Sequence, residues 1–315
     1  MIDLINLWLN SFQFSEQELK QLRSCSTDFD VETLDYEFVR QKAVSMLPVR
    51  TIDSYNISFD SCATNIINNL FKKYVDDDTL VITTASEHPS VKENLLKCKN
   101  VHYLYQCNSV DMNFKENLSK FKKAFVFCIG LSVGDSQFTN NDVMALLKNK
   151  LYNFGIESVF VLDPAQEIFM LSRDYSLYDY IIGTSHVFVS FYDTGFMFSK
   201  EKIQTEKEWL SRGNKYLDIL NMLLKHKDKL FEFHSLMMQC FGKQLSLDKA
   251  LSVSDNAPYV FTLHDKKNRL KGISRINPAG MPDESTVIFR ASESLIDQDE
   301  FLEKIKTVKY ILENS

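Results

Sequence analysis

Residues that could bind or transform a ligand are densest between Ser158 and Ser199. The run SVFVLD ends on Asp163 and leads into the turn Pro164-Ala165-Gln166, and the run YIIGTSH ends on Thr184-Ser185-His186. Both runs are rich in β-branched and aromatic residues, so both are predicted to be strands. In open α/β sheets, ligand groups come from the turns that leave strand ends. The pattern indicates a site built from a carboxylate, hydroxyls and an imidazole.

Two earlier predicted strands are followed by similar residue types. In YNISFDSCATNIINNLF, a strand and a turn lead into a helix that begins near Thr64, and such a helix can present N–H groups and a hydroxyl to a phosphate. The simpler interpretation is that Thr64 only caps its helix. The second strand, TLVITT, is followed by a segment that contains His88, which could equally just begin a helix.

Strands and helices alternate over the first two thirds of the chain, and each predicted strand is nearly continuously apolar. This alternation is typical of the α/β class, with a parallel sheet covered by helices on both faces. Right-handed crossovers would put the strand-end turns on one common edge. We expect Thr64, His88, Asp163 and His186 to converge at that edge.

The C-terminal part has a different composition. From Glu201 it is helix-rich, and Arg212-Gly213-Asn214 is predicted to break this region into two helices. The runs PYVFTLHD and TVIFRAS are predicted strands, and an amphipathic helix is predicted to end the chain. The expected organisation is a large α/β domain over residues 1–205, with residues 1–30 as its N-terminal segment, and a small α+β domain over residues 206–315.

Bulk composition excludes several classes of function. With 315 residues, 44% of them hydrophobic and 12% aromatic, the chain is an ordinary globular protein. The formal charge of −6 and the lack of a Lys/Arg block argue against nucleic acid or a membrane surface as partner. No apolar run has the length of a membrane span and no signal peptide is evident, so a cytoplasmic location is expected. The six cysteines lack CxxC spacing, so we expect free thiols and no metal site.

Taken together, the motifs resemble the class V aminotransferase and cysteine desulfurase family, which has fold type I of the pyridoxal phosphate (PLP) enzymes. In that family one strand reads Val-Asp-x-Ala-Gln, and the next ends Ser-x-His-Lys, with the lysine holding the cofactor as a Schiff base. The resemblance runs from about Val39 to the C-terminus. It implies a PLP-transferase fold with a mainly parallel sheet sandwiched by helices and a smaller C-terminal α+β domain.

The resemblance also implies a role for each candidate residue. The cofactor-binding positions are Thr64, Thr184 and His186 for the phosphate and His88, Asp163 and Gln166 for the ring. Arg290, which taken alone could be an ordinary strand-edge charge, is implied to grip a substrate carboxylate, because a bidentate guanidinium fixes its orientation. The residues assigned to catalysis are His186 and His88.

Three departures from the family pattern bear on function. Val187 stands in place of the lysine, and it cannot form a Schiff base because only an amine condenses with the aldehyde. Leu131 stands where the family has an Asn near the ring hydroxyl. The interval from Lys243 to Thr286 contains no Cys, so desulfurase chemistry through a persulfide is disfavoured.

These observations leave competing functions. The first is an atypical enzyme that binds PLP or its amine form (PMP) non-covalently and acts on an amino-acid-like substrate, with His186 or another base moving protons. The second is a catalytically inactive pseudoenzyme that serves as a scaffold or partner subunit. The third is an enzyme that reuses the pocket without PLP. The resemblance implies a homodimer, or a heterodimer with a related subunit.

Overall fold

The computed structural model describes residues 17, 34–48, 54–84, 87–104, 118–129, 141–165, 168–169, 174–185, 194–229, 231–232, 235, 251–257, 260–265, 267, 269, 286–290 and 298–314. The chain divides into two compact units. The larger unit consists of Phe29–His186 and Tyr192–Asp218, and the other consists of Met1–Asp28, Val187–Phe191 and Ile219–Ser315. The division near residue 205 that the sequence indicates stays a prediction.

The larger unit alternates strands and helices as the sequence predicts. In chain order its elements are α1 (Tyr36–Ser45), β1 (Asn56–Asp60), α2 (Ala63–Tyr74), β2 (Thr79–Thr84), α3 (Pro89–Leu95), β3 (Val101–Leu104), a 3-10 helix (Leu118–Lys120), β4 (Lys123–Ile129), α4 (Asn141–Asn153), β5 (Glu157–Asp163), β6 (Tyr180–Thr184), β7 (Gly195–Ser199) and α5 (Lys207–Leu224), which continues to the end of this unit and beyond it. Gly155 follows α4 with a φ of 68°, the left-handed conformation that commonly ends a helix.

The strands of this unit form one seven-stranded sheet in the order β1-β7-β6-β5-β4-β2-β3. Strand pairs from β3 to β6 are parallel, whereas β7 is antiparallel to both β1 and β6. Since β1 and β6 both oppose β7, they run in the same direction. The prediction of a mainly parallel α/β sheet is confirmed, and all strands except β7 end at one edge, called the carboxyl edge below.

Burial explains why these strands are almost uniformly apolar. Every residue of β2 is buried, as expected for a parallel strand with helices on both faces. Helix α2 lays one apolar face on the sheet, through Ile66, Ile67, Leu70 and Phe71. The Phe71 ring lies edge-on to that of Phe125 with centroids 5.0 Å apart. These contacts hold α2 against the sheet and so fix where its first turn lies.

The predicted helix break at Arg212-Gly213-Asn214 is wrong, because α5 runs without interruption through these residues. Gly213 is there for packing against a strand residue. A Cβ at position 213 would lie 2.3 Å from Cδ1 of Phe59 on β1. The glycine lets the helix backbone approach that ring, a reason that its local sequence does not reveal.

The second unit contains a three-stranded antiparallel sheet and a terminal helix. Its strands are β8 (Leu251–Ala257), β9 (Val260–Asp265) and β10 (Thr286–Arg290), in the order β10-β9-β8, and its helix is α6 (Gln298–Asn314). Ile305 and Val308 are buried on one face of α6, as its amphipathic pattern predicts. Strand β8 was not predicted. Among the described helices of both units, none has the length and apolarity needed to cross a membrane.

Candidate functional site

Four predicted site residues lie at the carboxyl edge. Ile82, Val126 and Phe160 are level with one another across β2, β4 and β5. Asp163 lies at the end of β5 and Thr184 at the end of β6, while His88 follows β2 and Thr64 follows β1. Parallel topology therefore brings these four residues to one edge of the sheet, where Thr64, His88 and Asp163 were expected together with His186. Their convergence on a single cavity stays a prediction.

The first turn of α2 lies directly against the start of β7. Gly195 is the register partner of Thr184 on β6, and a Cβ at Gly195 would lie 2.3 Å from the carbonyl carbon of Cys62. Cys62 is the residue that precedes α2, and its side chain makes no capping hydrogen bond. Thr64 is the second residue of the helix, so the interpretation that it caps the helix is wrong. The result is a helix N-terminus beside the buried Thr184, where an anion would be stabilised.

The turn between β1 and α2 is fixed by side-chain hydrogen bonds. Asp60 Oδ1 accepts from the Ser61 backbone N–H at 2.6 Å, from the Ser61 hydroxyl at 3.0 Å and from the Asn65 amide at 3.3 Å. The Asn65 amide also donates to Ser61 Oγ at 2.6 Å. This network holds the turn in the conformation that presents the first N–H groups of α2.

The end of β6 is closed by a reciprocal contact with the residue before β7. The Ser185 backbone N–H donates to the Thr194 carbonyl at 2.8 Å, and the Thr194 N–H donates to Ser185 Oγ at 2.8 Å. Both side chains are fully buried. Thr184, the last residue of β6, therefore lies next to this contact and opposite Gly195.

Asp163 is a carboxylate at the end of a buried strand. It is 9% exposed, pairs with Ile129 on β4, and accepts a hydrogen bond at Oδ1 from the Ala165 N–H at 3.2 Å. That bond orients the side chain within the turn after β5. A buried carboxylate is costly unless hydrogen bonds or a cation offset its desolvation. Its position suits pairing with a protonated ring nitrogen.

His88 precedes α3 and accepts from the backbone N–H of Ser90 at 3.3 Å. Its Nδ1 also lies 2.8 Å from Ser90 Oγ. Burial lowers the pKa of His88 below its ordinary value, nearby Lys92 lowers it further, and Glu93 opposes the shift. The lowered pKa favours the neutral ring, and an uncharged aromatic surface suits contact with a flat heteroaromatic ligand.

Several predicted residues lie outside the described residues. These are Gln166, His186, Val187 and Leu131. For Arg290 only the backbone is described, where it ends β10 as the register partner of Val260. The roles expected of these five residues stay predictions.

One buried charged residue beside the candidate site was missed by sequence analysis. Glu87, next to His88, is fully buried, and its Oε1 accepts from the hydroxyl of Thr84 at 2.7 Å. Glutamate is almost never buried unless it is paired, so a Glu in a turn is normally taken as exposed. Its adjacency to a candidate histidine was the one available signal.

The described residues fit a phosphorylated, cationic aromatic ligand. A helix N-terminus and Thr184 suit the phosphate, Asp163 suits a protonated ring nitrogen, and neutral His88 suits the ring face. Among the described residues, Cys62, Cys98 and Cys128 are not in disulfides.

Comparison with known proteins identifies the fold. No family model matches the chain, and no curated protein matches it. Among solved structures, a NifS-like protein is 14% identical, with a TM-score of 0.64 over 96% of this chain and 97% of that one. The NifS-like protein of Rickettsia africae is 12% identical, with a TM-score of 0.61 over 95% and 97%. The PLP-bound C-S lyase of Staphylococcus hominis is 10% identical, with a TM-score of 0.60 over 96% and 91%. The chain therefore has fold type I of the PLP-dependent transferases.

Proposed function

We propose that this protein is a divergent relative of the class V aminotransferases that binds PLP or PMP non-covalently at the carboxyl edge and acts on an amino-acid-like substrate. The observation that carries the proposal is the N-terminus of α2 packed against Gly195 beside the buried Thr184, on a fold shared with PLP-bound enzymes. That arrangement matches the phosphate, which is the anionic end of the cofactor.

The phosphate would be held by Thr64, Thr184 and His186. The first two belong to elements whose positions are fixed by packing, so these groups would need little reorganisation on binding. The macrodipole of α2 adds a partial positive charge.

The ring would be held by Asp163, Gln166 and His88. Asp163 would accept a charge-assisted hydrogen bond from the pyridine nitrogen and keep it protonated. When bound, the cofactor supplies an electron sink for bonds at the substrate α-carbon. The neutral His88 would cover one ring face and exclude water from it.

The substrate would be an amino acid or a close analogue. Arg290 would bind its carboxylate in a bidentate manner. His186 would accept and return the proton at the α-carbon, since position 187 offers no amine. We further propose a cytoplasmic dimer, a homodimer or a heterodimer with a related subunit, because in such enzymes the site is completed across the interface.

The test is to titrate the full chain with PLP and PMP, following absorbance and fluorescence, and then to treat it with borohydride and measure its mass. We expect saturable, reversible binding without a covalent adduct at position 187. Val187→Lys is expected to gain one reducible adduct there. Val187→Met is the matched control, because it has an unbranched chain without the amine.

Two results would contradict the proposal. One is no saturable binding by the wild-type protein at millimolar PLP or PMP, and the other is no adduct in Val187→Lys. Both together would favour the inactive scaffold.

A further inference from the structure

Glu87 is hydrogen-bonded to the end of β2, and His88 and α3 follow it in the chain. Its Oε1 accepts hydrogen bonds from both donors of Thr84, the backbone N–H at 3.3 Å and the hydroxyl at 2.7 Å. Thr84 is the last residue of β2, and both side chains are buried. Burying a carboxyl group costs free energy that only such bonds offset. The contact therefore ties the turn to the end of a strand in the sheet.

The next residue, His88, is held by a residue that follows it, Ser90. A backbone N–H can only donate, so the bond from Ser90 N–H makes His88 Nδ1 an acceptor. In the neutral ring the proton is then on Nε2. Of the two ring nitrogens, Nε2 is the one that can donate to a ligand.

Helix α3 is itself anchored to α2. The Asn94 amide donates to Asn68 Oδ1 at 2.7 Å and to the Ser90 carbonyl at 2.9 Å. Asn68 belongs to α2, whose first turn is the phosphate position proposed above. The turn that carries His88 is thus held between the end of β2 and two packed helices.

We propose that Glu87 is a positioning residue, which holds the turn so that His88 meets the ligand with Nδ1 bonded to Ser90 and Nε2–H as its donor. The identity of that ligand rests on the proposed function. His88 then contacts the ring and does not act as a base, because its acceptor nitrogen is already used. Of the two histidines assigned to catalysis, only His186 then remains as a candidate base.

The experiment uses full-length protein labelled with ¹⁵N-histidine, which has six histidines, with the His88 signal identified by its loss in His88→Gln. We expect the wild-type signal to show the Nε2–H tautomer without PLP. Glu87→Ala should average the two tautomers and weaken PLP binding about tenfold, the order expected for one lost hydrogen bond. Glu87→Gln keeps an acceptor oxygen and should bind PLP within about twofold of wild type.

Glu157→Ala is the matched control, because Glu157 is an exposed glutamate at the start of β5, at the opposite end of that strand from Asp163. If Glu87→Ala does not fold, Thr84→Val replaces it, since it removes only the hydroxyl donor, and Thr84→Ser should restore the tautomer. An unchanged His88 signal in Glu87→Ala or Thr84→Val would overturn the inference. The inference would also be overturned if Glu87→Ala and Glu87→Gln had equal effects on three quantities: the fraction of the Nε2–H tautomer, the affinity for PLP and the melting temperature. Failure of wild type to bind PLP would refute the proposed function alone, because the tautomer is measured without ligand.

Discussion

The two edges of the large sheet hold their carboxyl groups in different surroundings. At the amino edge, where the parallel strands begin, charged side chains are mostly exposed and paired. Lys73 lies 2.6 Å from Glu201, with half or more of each side chain exposed, and Lys123 lies 3.3 Å from Asp76 in a similar setting. Such exposed ion pairs contribute little to the stability of a fold.

At the carboxyl edge, in contrast, two carboxyl groups are buried, and three side chains with hydroxyl groups are buried at the same edge. Thr84, Glu87, Asp163, Thr184 and Ser185 are each at most 9% exposed. Each buried polar group carries a desolvation cost, so a sheet selected for stability alone would have fewer of them. The two buried carboxyl groups therefore support the proposed binding role of the carboxyl edge.

The largest effect is expected from Gly195→Ala, which breaks the carboxyl edge sterically. The new methyl would overlap the backbone of Cys62 and Ala63, and such overpacking costs about 1–3 kcal/mol, here at the upper end. Urea denaturation measures it. The control is Gly155→Ala, where the space is open and only left-handed strain of about 1 kcal/mol is expected. Equal stabilities of the two variants would contradict the packing of α2 on β7.

Asp163→Asn should separate ligand binding from stability at the carboxyl edge. The loss of one charge-assisted bond, about 1.5–3 kcal/mol, should weaken PLP binding about 10- to 100-fold. The free energy of unfolding should change by less than about 1 kcal/mol, since Asn keeps an acceptor for the Ala165 N–H. Calorimetric titration and chemical denaturation measure the two quantities. A large loss of stability with unchanged PLP binding would mean that Asp163 serves the fold and not the proposed ligand.

Tyr180→Phe tests the amino edge. The Tyr180 hydroxyl is hydrogen-bonded to Tyr74 and donates to Glu201 at 2.9 Å, so its removal should cost about 0.5–1.5 kcal/mol of stability. PLP binding should be unchanged. Tyr152→Phe, at an exposed position, is the control and should be neutral. Weaker PLP binding in Tyr180→Phe would show that the two edges are coupled.

The smallest effect is expected from Lys123→Ala. Its exposed pair with Asp76 should contribute less than about 1 kcal/mol, and the difference from wild type should shrink further in high salt. Thermal denaturation at two salt concentrations measures it. A loss that salt does not reduce would mean that packing, and not charge, is responsible.

Sequence patterns predicted the parts of the fold that depend on local chemistry. The run TLVITT is β2 from end to end, and Gly155 ends α4, because burial on both faces and left-handed backbone leave a local signature. Strand β7 was not predicted, since its antiparallel place between β1 and β6 depends on distant partners. The continuity of α5 was missed for the same reason. Gly213 is required by its close approach to Phe59 on β1, which is distant in the sequence.

The candidate site was predictable to a similar extent. The edge that carries Thr64, His88, Asp163 and Thr184 followed from strand order and the family resemblance. The burial of Glu87 did not, since a charged residue in a turn becomes buried only when tertiary partners such as Thr84 accept it.

The reciprocal contact between Ser185 and Thr194 has a consequence for how this protein can change over evolutionary time. The Thr194 backbone supplies one donor and one acceptor, and the Ser185 backbone and hydroxyl supply their partners. Substitution of Ser185 by a residue without a side-chain acceptor would leave the buried Thr194 N–H without this bond. Over many generations, position 185 should therefore stay confined to residues whose short side chain can accept a hydrogen bond.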